Sequence, residues 1–152
     1  MRPSSITDQL FIKANRIRTI QDKGHQEIDE GIGPEFMALL NYSIMGLIQL
    51  ELGAATEVDM DLENALIQYD RKAVEAKELM IKKNHDYGEA WRDMRISSLT
   101  DLILMKINRV KQIEDNEGET LISEGIDSHY FDIINYSNFA LIKMEEDRET
   151  IS

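Results

Sequence analysis

The chain has 152 residues, of which 42% are apolar and 30% charged, a balance that fits one soluble globular domain rather than a disordered chain. Its 17 basic and 29 acidic residues leave a net charge of −12, which argues against a nucleic-acid role unless the basic groups cluster. Cysteine is absent, so disulfide and thiolate chemistry are excluded and the expected location is the cytoplasm.

Ser4 and Ser5 are N-cap candidates for a helix over 4–21, with Ile6, Leu10, Ile17 and Ile20 on one stripe. Lys13 falls in the middle of that stripe, an unusual place for a cation. Residues 22–33 form a polar, glycine-punctuated connection, and Pro34 suits a first helical position. Glu35 to Leu52 then reads as a helix that is apolar almost all round, stopped by Gly53, and its place is the centre of the domain. The most apolar run, Phe36 to Leu50, contains Asn41, Ser43 and Gln49 and falls short of the roughly 20 residues of a membrane span. Nothing at the N-terminus resembles a signal peptide, so no membrane role is expected.

Residues 54–61 are an acidic link in which Asp59 or Asp61 can cap the next helix. That helix is expected over 62–83, with Leu62, Ala65, Leu66, Tyr69, Ala73, Ala76 and Met80 on its apolar stripe and Arg71, Glu75, Glu78 and Lys82 opposite. It ends in the turn Asn84-His85-Asp86-Tyr87-Gly88. A short segment, a helix over 97–113, a polar connection and a final helix over 129–146 follow. No strand pattern competes with these assignments, so the fold class is all-α, a helical bundle of about five main helices.

The plan repeats. Residues 1–22 laid over 94–115 give 11 identities in 22 positions, and residues 30–51 over 124–145 give 9 in 22. This is an internal duplication: a first unit over 1–53 and a second over 54–152, packed as one domain. The first unit lacks the long helix that leads the second, so the chain reads as a piece of a longer protein. Its first unit is expected to expose apolar surface and to drive self-association into a homo-oligomer.

Several polar residues stand at odds with their surroundings. Lys106, the counterpart of Lys13, lies between Leu99, Leu102, Ile103, Val110 and Ile113. It is either a snorkelling or ion-paired structural lysine or a phosphate ligand flanked by Arg109, the counterpart of Arg16. Asp132 answers to Ala38 in a helix that is otherwise apolar, so it is an edge residue, a metal ligand or the mate of Lys106. Asp127 answers to Gly33. His129 answers to Glu35 and reads as a surface or capping residue. Glu75 and Glu78, three apart, suit either a shared divalent cation or a salt-bridged exposed face. Asn135-Tyr136-Ser137 recurs as Asn41-Tyr42-Ser43, which points to one structural hydrogen-bond network common to both units.

The run Lys82-Lys83-Asn84-His85-Asp86-Tyr87-Gly88, then Lys106 and Arg109, then Asp132-Ile133-Ile134-Asn135-Tyr136, resembles the nucleotide modification associated domain family, which is similar to MazG-like all-α nucleotide pyrophosphohydrolases. The resemblance covers about 62–146 and, without the lysine-asparagine-aspartate turn, 1–51. It implies a bundle in which carboxylates hold Mg²⁺ beside a nucleoside triphosphate and activate water, with pyrophosphate leaving. Carried over, Glu75, Glu78, Asp86 and Asp132 are the metal candidates. Lys83, Asn84, Tyr87, Lys106 and Arg109 are the nucleotide-binding candidates. The chain departs from the expected Glu-x-x-Asp pair, having His129-Tyr130-Phe131-Asp132, so a ligand is missing or comes from Asp127. The first unit looks catalytically empty. The alternative is a non-catalytic nucleotide-binding or assembly module.

Overall fold

In a computed structural model of the chain, residues 2–23, 28–53, 61–116 and 123–151 are described. They form α1 (Pro3–Lys23), α2 (Ile28–Leu52), α3 (Leu62–Tyr87), α4 (Ile96–Asp115) and α5 (Ser123–Ile151), with a short 3-10 turn over Ala90–Asp93 ahead of α4. No strand occurs among the described residues, in keeping with the all-α expectation.

The duplication is visible in the packing. Within each repeat the two helices pair, α1 with α2 and α4 with α5, and across the repeats α1 meets α4 and α2 meets α5. The buried stripe of α1 is Ile6, Leu10, Ala14 and Ile17. The buried stripe of α4 is Leu99, Ile103, Ile107 and Val110, which are the same four positions 93 residues on. Apolar residues spaced by three and four place one face of each helix inward, and the four faces close on one core that also holds Phe36, Leu39, Ile44, Ile133 and Ile134. At Gly46 the approach of α5 is too close for a side chain, since a Cβ there would stand 2.6 Å from Cζ of Tyr130.

Four helix limits differ from the sequence expectation, among them the end of α5, which runs past 146 to Ile151. α2 starts at Ile28, so Pro34 is inside the helix rather than at its start. A proline at the seventh helical position lacks the N–H that would bond four residues back, a loss that the packing of α2 at the centre of the core has to offset. α5 starts at Ser123, ahead of His129. α3 continues through Asn84, His85 and Asp86 to Tyr87 and stops only where Gly88 turns to φ 69°. A positive φ is what glycine adopts without strain, and the polar run before it meets no such break. Asp61 caps α3 by accepting a hydrogen bond from the Asn64 N–H at 2.8 Å. Asp59, most of the acidic link and the middles of both polar connections lie outside the described residues.

α3 lies outside the four-helix arrangement, against α2 and α5. Its expected apolar stripe is therefore only partly covered: Ala76 is buried and Tyr69, Ala73 and Met80 are half-buried, but Leu62 is 75% exposed and Leu66 55%. Ile67, Val74 and Ile81, seven residues apart, also face solvent. A buried cation takes part in the seam instead. Lys72 Nζ sits 2.8 Å from Glu51 and 3.1 Å from Glu75, and Arg71 reaches Glu51 at 2.6 Å. Arg71 and Glu75 thus work at the edge of the α2 contact, not on a remote face.

This clasp gives α3 a pH dependence. Hydrogen bonds from Arg71 and then Lys72 hold the Glu51 carboxyl down at about 2, from an ordinary 4.5. A depressed carboxylate contributes stability above its unfolded value and loses it as pH falls through the folded one. Docking of α3 on α2 is therefore expected to weaken between pH 4.5 and about 2. Amide exchange along α3 followed across that window checks this, and Glu51→Gln should flatten the response. No helix among the described residues is long and apolar enough to cross a membrane.

Candidate functional site

The C-terminal end of α3 and the middle of α5 enclose a pocket of about 290 Å³. Because α3 stays helical to Tyr87, Met80, Lys83, Asn84 and Tyr87 share one face and line it together. From α5 come Asp132, Asn135, Tyr136 and Phe139, again one face at spacings of three, one and three. Trp91 closes the wall from the 3-10 turn. Its ring stacks on Phe139 at 4.3 Å and carries the Arg92 guanidinium 4.5 Å above it, which holds the indole rigidly.

The pocket is aromatic with a few fixed polar groups. Asn135 is 5% exposed, and neither its amide nitrogen nor its amide oxygen has a hydrogen-bond partner. The Trp91 indole nitrogen is buried and equally unpartnered. Buried amides are nearly always satisfied, and leaving one unmade costs about 1–3 kcal/mol, so Asn135 calls for a partner from outside the chain, a ligand or an ordered water. The expected common network does not form. In the first unit Asn41 accepts a hydrogen bond from the Tyr69 hydroxyl at 2.6 Å, whereas its counterpart Asn135 has no such donor.

Asp132 separates this pocket from a basic groove. Lys83 Nζ donates to its Oδ1 at 2.9 Å from the pocket side, and Lys106 Nζ lies 3.1 Å from its Oδ2 on the other side. Asp132 is thus the mate of Lys106, and also of Lys83, a pairing that the sequence did not reveal. The groove beyond, about 550 Å³, is lined by the cations Arg18, Lys106 and Arg109, by one carboxylate, Asp101, and by Asn108, Gln112 and His129 among others. Arg109 bonds only Gln112, at 3.2 Å, and meets no carboxylate among the described residues. Burial, and then the positive charge of Lys106, push the His129 imidazole below its ordinary value against the opposing pull of Asp132. Burial, and then the Asp132 charge, push the Tyr136 hydroxyl up.

The structure therefore brings together Asp132, Lys83, Asn84, Tyr87, Lys106 and Arg109. It does not bring the other carboxylates to them. Glu75 is tied to Lys72 and Arg71 on the α2 side, at 3.1 and 3.6 Å, and Glu78 and Asp86 are exposed. Asp127 lines a separate small pocket with Glu51, Lys72 and Glu75. Among the described residues no three His, Asp or Glu side chains group as a metal ion requires. Both oxygens of Asp132 are engaged by lysines, so the donor set here does not fit a magnesium ion held by the protein.

Sequence reasoning missed Asn135, Trp91 and His129 as site residues. For His129 a signal existed: the exchange of Glu35 for histidine between copies changes the charge beside two cations. For Asn135 the recurrence of Asn-Tyr-Ser pointed the other way.

No curated protein and no solved structure matches the chain. A family profile described as "Nucleotide modification associated domain 1" matches residues 1–50 and 83–144. The second stretch begins at Lys83, so it takes in most of the pocket and groove, and the first falls on the earlier copy. With both repeats matched, and well over half of its length, the chain belongs to the nucleotide modification associated domain 1 family.

Proposed function

We propose that the second unit is a nucleotide-binding module, with the base in the aromatic pocket and the phosphates along the basic groove. The observation that carries this is the unpartnered Asn135 amide, a buried donor and acceptor side by side among aromatic rings. A nucleobase edge offers the matching acceptor and donor, and its faces suit Tyr87 and Tyr136, while Trp91, covered by Phe139 and Arg92, presents only its edge. Asp132 lies between pocket and groove, where the sugar would pass. The family description supports the nucleotide class.

The finer reading, hydrolysis of a nucleoside triphosphate with release of pyrophosphate, needs a metal that these side chains do not group to hold. Binding is the function the geometry supports best, and a hydrolase would have to receive Mg²⁺ with its nucleotide. Calorimetric titration with a panel of ribo- and deoxynucleoside mono- and triphosphates, with and without Mg²⁺, tests both readings when pyrophosphate is assayed alongside. Saturable binding without pyrophosphate is the expected result. Metal-dependent pyrophosphate release would establish the hydrolase instead, and a folded chain that binds no member of the panel would overturn the nucleotide reading.

A further inference from the structure

The two repeats place the same cations against different neighbours. In the first, Lys13 and Arg16 both grip Glu35, at 3.5 and 2.6 Å, and Glu35 is only 9% exposed. In the second, Lys106 and Arg109 occupy the corresponding positions, but the residue answering to Glu35 is His129. The carboxylate has moved one helical turn on, to Asp132, where it reaches Lys106 but not Arg109. The groove is left with an unspent guanidinium, a shared ammonium, Arg18 from α1 and an imidazole whose buried Nδ1 has no partner.

We propose that this groove is an oligophosphate seat, opened in the second unit by His129 and closed in the first by Glu35, which fills it as a built-in anion. It rests on the nucleotide reading only for the choice of ligand class. One carboxylate satisfies the Lys-Arg pair in unit one, so the same pair in unit two is set to receive one anionic group. The groove's volume of about 550 Å³ and its third cation, Arg18, leave room for a second phosphate. Arg18 is paired at 3.7 Å with Asp101, a carboxylate that lines the same groove; the pair is exposed, and a second phosphate has to displace Asp101 from it. The base side follows the same logic, because the Tyr69 hydroxyl occupies Asn41 while Asn135 stays open.

The test is calorimetric titration of the full chain with inorganic pyrophosphate at low salt. One site per chain is expected. His129→Glu should weaken it at least tenfold while leaving the melting temperature close to that of the parent, since the first unit already tolerates glutamate beside the same cations. Glu35→His should raise the stoichiometry to two. Unchanged binding in His129→Glu, or no binding to the parent chain, overturns the seat. A nucleoside without phosphates separates the two ideas. If it binds and pyrophosphate does not, the seat is wrong and the base pocket stands. If pyrophosphate binds, while nucleosides do not and triphosphates bind no tighter than pyrophosphate, the seat stands and the nucleotide reading falls.

Discussion

Asn135→Leu is expected to make the protein more stable and less able to bind its ligand. Leucine has nearly the shape of asparagine and carries no polar atoms, so it removes a buried amide whose donor and acceptor are both unmade. Relief of that desolvation is worth about 1–3 kcal/mol, and in a domain of this size each kcal/mol raises Tm by about 2–4 °C. The same substitution deletes the polar edge that reads the base, so nucleotide affinity should fall roughly tenfold to hundredfold. Thermal melts and titrations of the same sample decide it. A lower Tm with unchanged affinity would mean that Asn135 is a packing residue and that the pocket reads nothing.

Phe36→Ala should have the largest effect on the fold itself. Phe36 is completely buried at the centre of the core shared by both repeats, with Leu39, Ile44, Ile133 and Ile134. Removing a buried phenyl ring costs about 3–5 kcal/mol through lost transfer energy and the cavity left behind. That corresponds to a fall in Tm of roughly 6–20 °C. Because one core joins the two units, the loss should appear as a single cooperative transition measured by circular dichroism. Two separated transitions would show that the repeats fold independently.

How much of this was legible in the sequence depended on whether a feature repeats. Ile6, Leu10 and Ile17 in α1 recur at a fixed offset as Leu99, Ile103 and Val110 in α4, and all six point inward as expected, whereas Ile20, Leu102 and Ile113 of the expected stripes are only half-buried. The stripe of α3 has no copy to check it. Its mean pattern suggested an ordinary inward face, but α3 touches two helices along a seam centred on Lys72 and Ala76, which leaves Leu62 and Leu66 in solvent. Helix ends differ where polarity reads as a stop: Asn84 and Asp86 are tolerated in an exposed last turn of α3, and Gly88 has the backbone to end it.

The site divided in the same way. Lys106 and Asp132 stood out because each sits in an apolar stretch, and they pair. Glu75 and Glu78 drew attention through spacing alone, but spacing along a helix says nothing of which helix lies opposite, and Glu75 faces Lys72. Asn135 was hidden because its triplet recurs. Only the fold shows that Tyr69 satisfies one copy and nothing among the described residues satisfies the other.

The most direct test is a nucleoside triphosphate titration of the isotope-labelled chain, following the side-chain amides of Asn135 and Asn41 and the indole N–H of Trp91, the chain's single tryptophan. A pocket restricted to the second unit predicts saturable shifts of the Asn135 and Trp91 signals with the Asn41 signal unmoved. Shifts of Asn41 equal to those of Asn135, or none at Trp91 and Asn135 while ligand binds elsewhere, would contradict it.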